Sequence, residues 1–493
     1  MFPRRLAALL CAMLAASLLF AQIDRRRTLL IRIDNVKPEV LLKSGILTFD
    51  EYETRSIVSI VRDTALVLVT PAEQGLLRER GFHCMTVLED SSELALIRRA
   101  VYGPTLRLEK PYHSYAEIMR EVLSLESAFP SMVRRFQIGT TTAKQHPIYA
   151  VKVARDVTKD DARPAVLING CHHSNEILGA EICVAALHEL VEEYGKDSDI
   201  TRWVDMFQII IVPVLNVDGH DVVTSGQDPR WRKNTRDTDG NSVLNYPDGI
   251  DINRNYDFNW AHGGSGEAAS GRYRGAFPFS ESESRALAGL ARQKRFVLSL
   301  TYHSQGEVVF YPWTWGGRKA PDDQLLTDIA RGLAGSITTM RGDTSYRAEY
   351  GAGLVGQSYP WLYGRLGTFD YVVETGKGAS IFPPHEVEGI VRANLKGIRY
   401  ILERAEGPGL AVRVKDAKTG TPLEATVWFP SIETEDVARR TSHPETGVLY
   451  RLLRPGTYAV HISSPGYAPV VLNEINARTT GWTQIVVPLK KSH

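Results

Sequence analysis

Between residues 112 and 406 the chain alternates short apolar runs with segments of helical spacing. Residues 148–153, 165–169, 207–212, 296–303 and 369–374 are nearly continuous in Val, Ile, Leu and Phe and read as strands. Helical patterns cover 115–129, which stops at Pro130, and then 177–194, 281–293 and 322–340. Strands apolar on both faces lie inside a sheet covered on both sides, so an α/β domain is expected, with a mostly parallel or mixed sheet between helices. Residues 218–281 lack such periodicity and are rich in Gly, Asn, Asp and Arg. A loop of that length inside a compact domain points to function.

The flanks follow other patterns. Strand signals at 29–33, 66–69 and 83–88, with a helical stretch at 71–80, predict a small α/β module over 28–103; a linker with Gly103, Pro104 and Pro111 ends it. From 408 to 490 only short strands recur, at 411–414, 425–429, 449–452, 457–462, 470–472 and 483–489. Turns such as Lys418-Thr419-Gly420 and Pro465-Gly466 separate them, which predicts an all-β sandwich. The central domain is expected over 110–406.

The first 21 residues differ from everything after them. Arg4 and Arg5 precede an apolar stretch from Leu6 to Phe20, followed by Ala21, the pattern of a cleaved signal peptide. An uncleaved anchor is the alternative, although the stretch is short for a spanning helix. A secreted or periplasmic protein is expected, off the membrane once the signal is cut. Of four cysteines, Cys11 falls in the signal, leaving Cys84, Cys171 and Cys183 as buried free thiols. Composition is ordinary for a globular chain, 43% hydrophobic and 23% charged. A formal net charge of +1 gives no electrostatic reason to expect nucleic acid. A monomer is expected.

Candidate chemistry collects at strand ends. After the strand 165–169 come His173 and Glu176, whose i, i+3 spacing on a first helical turn suits two zinc ligands. The adjacent His172 competes, but His173 is preferred. His303 ends another strand and is a candidate third ligand; Glu374 ends a further one and is a candidate base. Arg232 and Arg254 lie in the long loop, where guanidinium groups suit carboxylates and oxyanions.

These residues fall within an ordered set of motifs. Tyr112-His113-Ser114-Tyr115 comes first, then the His173/Glu176 pair, Pro213-Val214-Leu215-Asn216-Val217-Asp218-Gly219 and Trp231-Arg232-Lys233-Asn234. Asp251-Ile252-Asn253-Arg254-Asn255, Phe279-Ser280-Glu281-Ser282-Glu283, His303-Ser304 and Trp361-Leu362-Tyr363-Gly364 follow, ahead of Glu374. In this order the chain resembles the zinc carboxypeptidases, peptidase family M14. The resemblance implies a mixed eight-stranded sheet flanked by helices and one Zn2+ per chain, held by His173, Glu176 and His303. It implies Glu374 as the base that activates a zinc-bound water and Arg232 as the group stabilising the oxyanion. Asn253 and Arg254 would grip the substrate's C-terminal carboxylate, Asp251 would orient His173, and Tyr350 would close over the substrate. Substrates would be peptide or protein C-termini. Residues 447–458 resemble the transthyretin-like domain of regulatory (N/E-type) carboxypeptidases, and Asn175 leans the same way. Residues 28–103 occupy the place of a prosegment, with Arg98-Arg99 as a possible cleavage point. Pro360 stands where many relatives place Asp before the Trp, so preference for the C-terminal residue stays open. An amidase or endopeptidase on cell-wall peptides is the second enzyme reading. A catalytically inactive binding module is the third, against which this chain keeps every ligand and the base.

Overall fold

The computed structural model describes residues 29–36, 40–41, 57–61, 64–88, 112–159, 161–245, 247–315, 318–351 and 355–492. The signal segment, Cys11, Arg98-Arg99 and the linker lie outside them. In the N-terminal unit, β1 (Leu29–Ile33), β2 (Ile57–Val61), β3 (Thr64–Val69) and β4 (Cys84–Leu88) form an antiparallel sheet in the order β2-β3-β1-β4. The helix Pro71–Glu79 starts at Thr70, whose hydroxyl accepts from the Glu73 amide while the Glu73 carboxylate accepts from the Thr70 amide. Ile31, Ile33, Ala65, Val67 and Leu77 make the unit's dry core.

From Tyr112 onward a second unit is built on an eight-stranded sheet. Its strands are β5 (Val133–Thr140), β6 (Pro147–Val153), β7 (Ala165–Asn169), β8 (Gln208–Val212), β9 (Leu298–His303), β10 (Val308–Tyr311), β13 (Arg347–Tyr350) and β14 (Phe369–Glu374). Between β10 and β13 comes a two-residue hairpin, β11 (Thr314–Trp315) with β12 (Arg318–Lys319). The sheet order is β13-β10-β14-β9-β7-β8-β6-β5. The central four, β14, β9, β7 and β8, run parallel, and every residue in them is buried. Continuous apolar sequence therefore marks the middle of the sheet. The edge strands β5 and β13 carry no such run; β5 holds Arg134 and Arg135, and β13 is Arg-Ala-Glu-Tyr. Helices Tyr115–Ala128, Leu178–Glu192, Ser198–Met206, Ser282–Lys294, Asp323–Ser336 and Pro384–Arg404 belong to the same unit. The stretch expected to lack periodicity from 218 contains the end of a helix, Val217–Thr224, started by the Asn216 side chain accepting from the Gly219 amide.

The C-terminal β region packs two sheets, β18-β15-β21 and β17-β16-β19-β20. They comprise β15 (Gly409–Asp416), β16 (Thr426–Trp428), β17 (Arg440–Thr441), β18 (Val448–Leu452), β19 (Gly456–Ser463), β20 (Val470–Ala477) and β21 (Trp482–Leu489). Leu410, Val412, Val427, Phe429, Val460 and Leu489 fill the space between them, the expected sandwich. A buried charge cluster joins it to the α/β domain. Asp322 accepts from Arg451 Nη2 at 2.8 Å, Arg440 Nη2 at 3.3 Å and the Tyr363 hydroxyl at 2.6 Å. Burial would raise its carboxyl, but Arg451 and Arg440 hold it below the usual range. Cys84, Cys171 and Cys183 are buried and unbridged, as expected.

Candidate metal centre and active site

Four parallel strands end along one edge of the sheet, and the candidate residues follow those ends. After β7 the chain passes Gly170 and Cys171, the latter at φ 53°, and enters a turn carrying His172 to Glu176 before the helix Leu178–Glu192. The His173/Glu176 pair thus precedes the helix and is not on its first turn, which corrects the sequence expectation. Backbone tethers to the long loop hold it there. The Ser174 amide donates to Arg232 O at 3.0 Å, its hydroxyl to Trp231 O at 2.7 Å, and Asn216 Nδ2 to His172 O at 3.3 Å.

Three potential ligand atoms converge. His173 Nδ1 lies 2.9 Å from Glu176 Oε1, His303 Nδ1 lies 2.6 Å from Glu176 Oε2, and the two Nδ1 atoms are 3.0 Å apart. All three side chains are buried, with their ligand atoms within 4.8 Å of one another. Two imidazole nitrogens and a carboxylate facing one point form a donor set suited to Zn2+ in a catalytic site. Burial lowers the His303 pKa, favouring the neutral ring a metal needs. Burial would raise Glu176, but the adjacent His173 and His303 hold it well below the carboxylate range. His172 points elsewhere: its Nε2 pairs with the Tyr256 hydroxyl at 3.0 Å.

Acids and arginines surround the group. Asp251 Oδ1 faces His173 Nε2 at 3.1 Å and accepts from the Asn253 amide at 2.9 Å. That bond orients the imidazole so that Nδ1 faces inward. Arg232 donates from Nη1 to Glu176 Oε1 at 3.2 Å and from Nη2 to Asp251 Oδ2 at 3.1 Å. Burial opposes its charge, but Asp251 and Glu176 outweigh burial and raise its pKa. Asn253 Nδ2 is 3.2 Å from His303 Nε2, and its Oδ1 accepts from the Ser358 amide at 2.9 Å. Arg254 is 1% exposed and donates from Nη1 to Asn253 O at 2.9 Å. Gly356, at φ 76°, lets the chain lie against this segment; a Cβ there would come within 2.7 Å of Arg254 O. Glu374 ends β14 and pairs in register with His303 on β9. Tyr350 belongs to another cluster, its hydroxyl donating to Asp323 at 2.6 Å and its ring packing on Tyr311.

Other motif residues brace this edge. The Tyr112 hydroxyl donates to Phe382 O, His113 Nδ1 pairs with Glu181 at 2.7 Å, and the Tyr115 hydroxyl donates to Pro147 O. Buried Glu281 accepts from Asn234 Nδ2 and Arg236 Nε, and Glu283 accepts from Thr142. Ser174 and Tyr256 were not singled out by sequence reasoning. Their position inside a matched motif or beside one was the available signal.

The chain is similar to known carboxypeptidases in sequence and in fold. Carboxypeptidase A4 of Mus musculus is 29% identical over 301 residues, spanning 59% of this chain and 70% of that one. Inactive metallocarboxypeptidase ECM14 of Ajellomyces dermatitidis is 31% identical over 222 residues, spanning 43% of this chain and 36% of that one. The crystal structure of thrombin activatable fibrinolysis inhibitor superposes with a TM-score of 0.56 at 21% identity, covering 77% of this chain and 98% of the other, a likeness of fold. Among the described residues no helix is long and apolar enough to cross a membrane. The zinc carboxypeptidase family model matches residues 118–397, and the chain belongs to that family.

Proposed function

We propose that this chain is an active, exported metallocarboxypeptidase that binds one Zn2+ through His173, Glu176 and His303 and releases single C-terminal residues. An inactive protein stands among its relatives, so activity rests on the residues carried here. The carrying observation is the buried Arg254, which donates to the carbonyl of Asn253, the residue whose Nδ2 lies 3.2 Å from His303 Nε2. A buried guanidinium there suits a free carboxylate, which only a C-terminal residue supplies.

When bound, Zn2+ supplies a Lewis acid that polarises the carbonyl and acidifies water. Glu374 accepts the proton of the attacking water as the water oxygen bonds to the carbonyl carbon. Arg232, held between Glu176 and Asp251, donates to the developing oxyanion. Glu374 then delivers its proton to the leaving nitrogen as the C–N bond breaks. Asn253 and Arg254 hold the terminal carboxylate throughout. For Tyr350 to close over the substrate, its hydroxyl must leave Asp323.

Residues 1–21 serve as the signal and 28–103 as a retained prosegment-like module. Residues 408–490 form the transthyretin-like domain, in line with an N/E-type arrangement. The test is release from matched peptides with free and amidated C-termini, with and without chelator. Chelator-sensitive release from the free acid alone is expected. Equal release from amidated peptides would favour the amidase reading.

A further inference from the structure

Outside the site described above, two histidines and three glutamates alternate where the helices Tyr115–Ala128 and Leu178–Glu192 meet. His113 precedes Ser114, which caps the first helix, and its amide donates to Glu181 Oε1 at 2.8 Å. Its ring Nδ1 pairs with Glu181 Oε2 at 2.7 Å, and its Nε2 lies 3.0 Å from Glu121 Oε1. His188 repeats the arrangement from the second helix. Its Nδ1 pairs at 2.8 Å with Glu192 Oε1, one turn further on, and its Nε2 lies 3.3 Å from Glu121 Oε2. Glu121 therefore stands between two Nε2 atoms, and each ring is backed at Nδ1 by a carboxylate of its own.

This arrangement calls for a cation. A ring nitrogen facing a carboxylate carries the proton, so each neutral ring keeps its lone pair on Nε2. That lone pair then faces a carboxylate oxygen, and two acceptors repel unless a positive ion lies between them. Among the described residues no Lys or Arg forms an ion pair with Glu121, Glu181 or Glu192. A carboxylate behind a histidine is also the device that orients the ring toward a metal and strengthens it as a ligand. The bond to Glu181 raises the His113 pKa, which is that added basicity. Zinc bonds of about 2.1 Å at tetrahedral angles put neighbouring ligand atoms about 3.4 Å apart, close to the 3.0 and 3.3 Å separations here. His113, Glu121 and His188 are 32, 35 and 37% exposed. An ion can thus enter from solvent, water can complete its shell, and the His188 ring has room to swing its nitrogen onto the same point.

We propose that His113, Glu121 and His188 form a second metal site, which takes Zn2+ and ties the two helices together. Protons on both rings are the competing occupants, and counting metal separates the two. The full chain is dialysed to equilibrium against Zn2+ at about pH 7.5, where the rings shed protons to a metal, and zinc per chain is measured by atomic emission. The wild type should hold one ion more than Glu121→Gln/His188→Ala. That difference is independent of how the His173, Glu176 and His303 group is read. In calorimetric titration Glu192→Gln should weaken the additional ion about tenfold, the cost of removing a ligand ring's carboxylate partner. The additional ion should raise the Tm of the wild type and leave that of the double variant unmoved. All three substituted side chains face solvent, and circular dichroism checks that each variant folds as the wild type does. Equal zinc counts in wild type and double variant overturn the proposal and leave both rings as imidazolium partners of Glu121. An identical Tm rise in the two proteins overturns it as well, because the ion would then lie elsewhere.

Discussion

Asp322→Asn should detach the β-sandwich from the α/β domain energetically while leaving the metal site in place. Asp322 receives Arg451, Arg440 and the Tyr363 hydroxyl at 2.8, 3.3 and 2.6 Å. Glu433 lies 3.8 Å from Arg440 and 4.0 Å from Arg451, so two buried cations face two acids. Asparagine leaves one positive charge uncompensated. Removing one partner of a buried pair costs about 3–5 kcal/mol. At about 2 °C per kcal/mol for a unit this large, a loss of about 4 kcal/mol lowers Tm by about 8 °C. The Asp322 carboxyl is held below its unfolded value, so its contribution is present above about pH 4 and lost as pH falls through the lower folded value. The assay is thermal and urea unfolding of wild type and variant at pH 7 and pH 3.5, with Asp322→Asn/Arg451→Met as the paired control. The variant should be markedly weaker at pH 7, the gap should narrow at pH 3.5, and the double substitution should recover part of the loss. A pH 7 difference under 1 kcal/mol would refute the reasoning.

Glu374→Gln should bind zinc with unchanged stoichiometry and lose about 10²–10⁴-fold in kcat/KM; turnover within tenfold of wild type sinks the base assignment. Arg254→Ala should raise KM for free C-termini about 10–150-fold, the worth of a charged hydrogen bond, and an unchanged KM would remove Arg254 from the grip. His220 is buried with neither ring nitrogen bonded among the described residues, and burial depresses its pKa to about 4. Below its unfolded value near 6.5 the unfolded chain takes up a proton that the folded chain refuses. Stability should therefore fall by about 3 kcal/mol as pH drops from 6.5 to 4 and level off below. His220→Phe should flatten that slope in urea unfolding; identical slopes would contradict it.

The middle of the sheet was legible because burial on both faces forces unbroken apolar sequence, as in Ala165–Asn169 and Phe369–Glu374. The edges were not, because solvent on one side admits Arg134, Arg135, Arg347 and Glu349. His173, Glu176 and His303 could be picked out because each follows or ends a strand. Their turn could not, since helical spacing and a tethered loop put residues i and i+3 equally close. Asp322 and its arginines lie 118 and 129 positions apart. No local pattern joins such partners. The long amphipathic helix Pro384–Arg404 went unclaimed, its pattern interrupted by Gly389 and Gly397.

The pairing of His303 with Glu374 across β9 and β14 bears on how this scaffold tolerates change. A ladder counts in whole residues: a slip of one would turn Glu374 to the opposite face, and a slip of two would carry it about 7 Å away. Their separation is thus quantised, indifferent to the length of the chain that wanders from one strand to the other. Insertions between residues 304 and 368 leave that register unchanged, so the stretch can vary in length without moving Glu374 relative to His303.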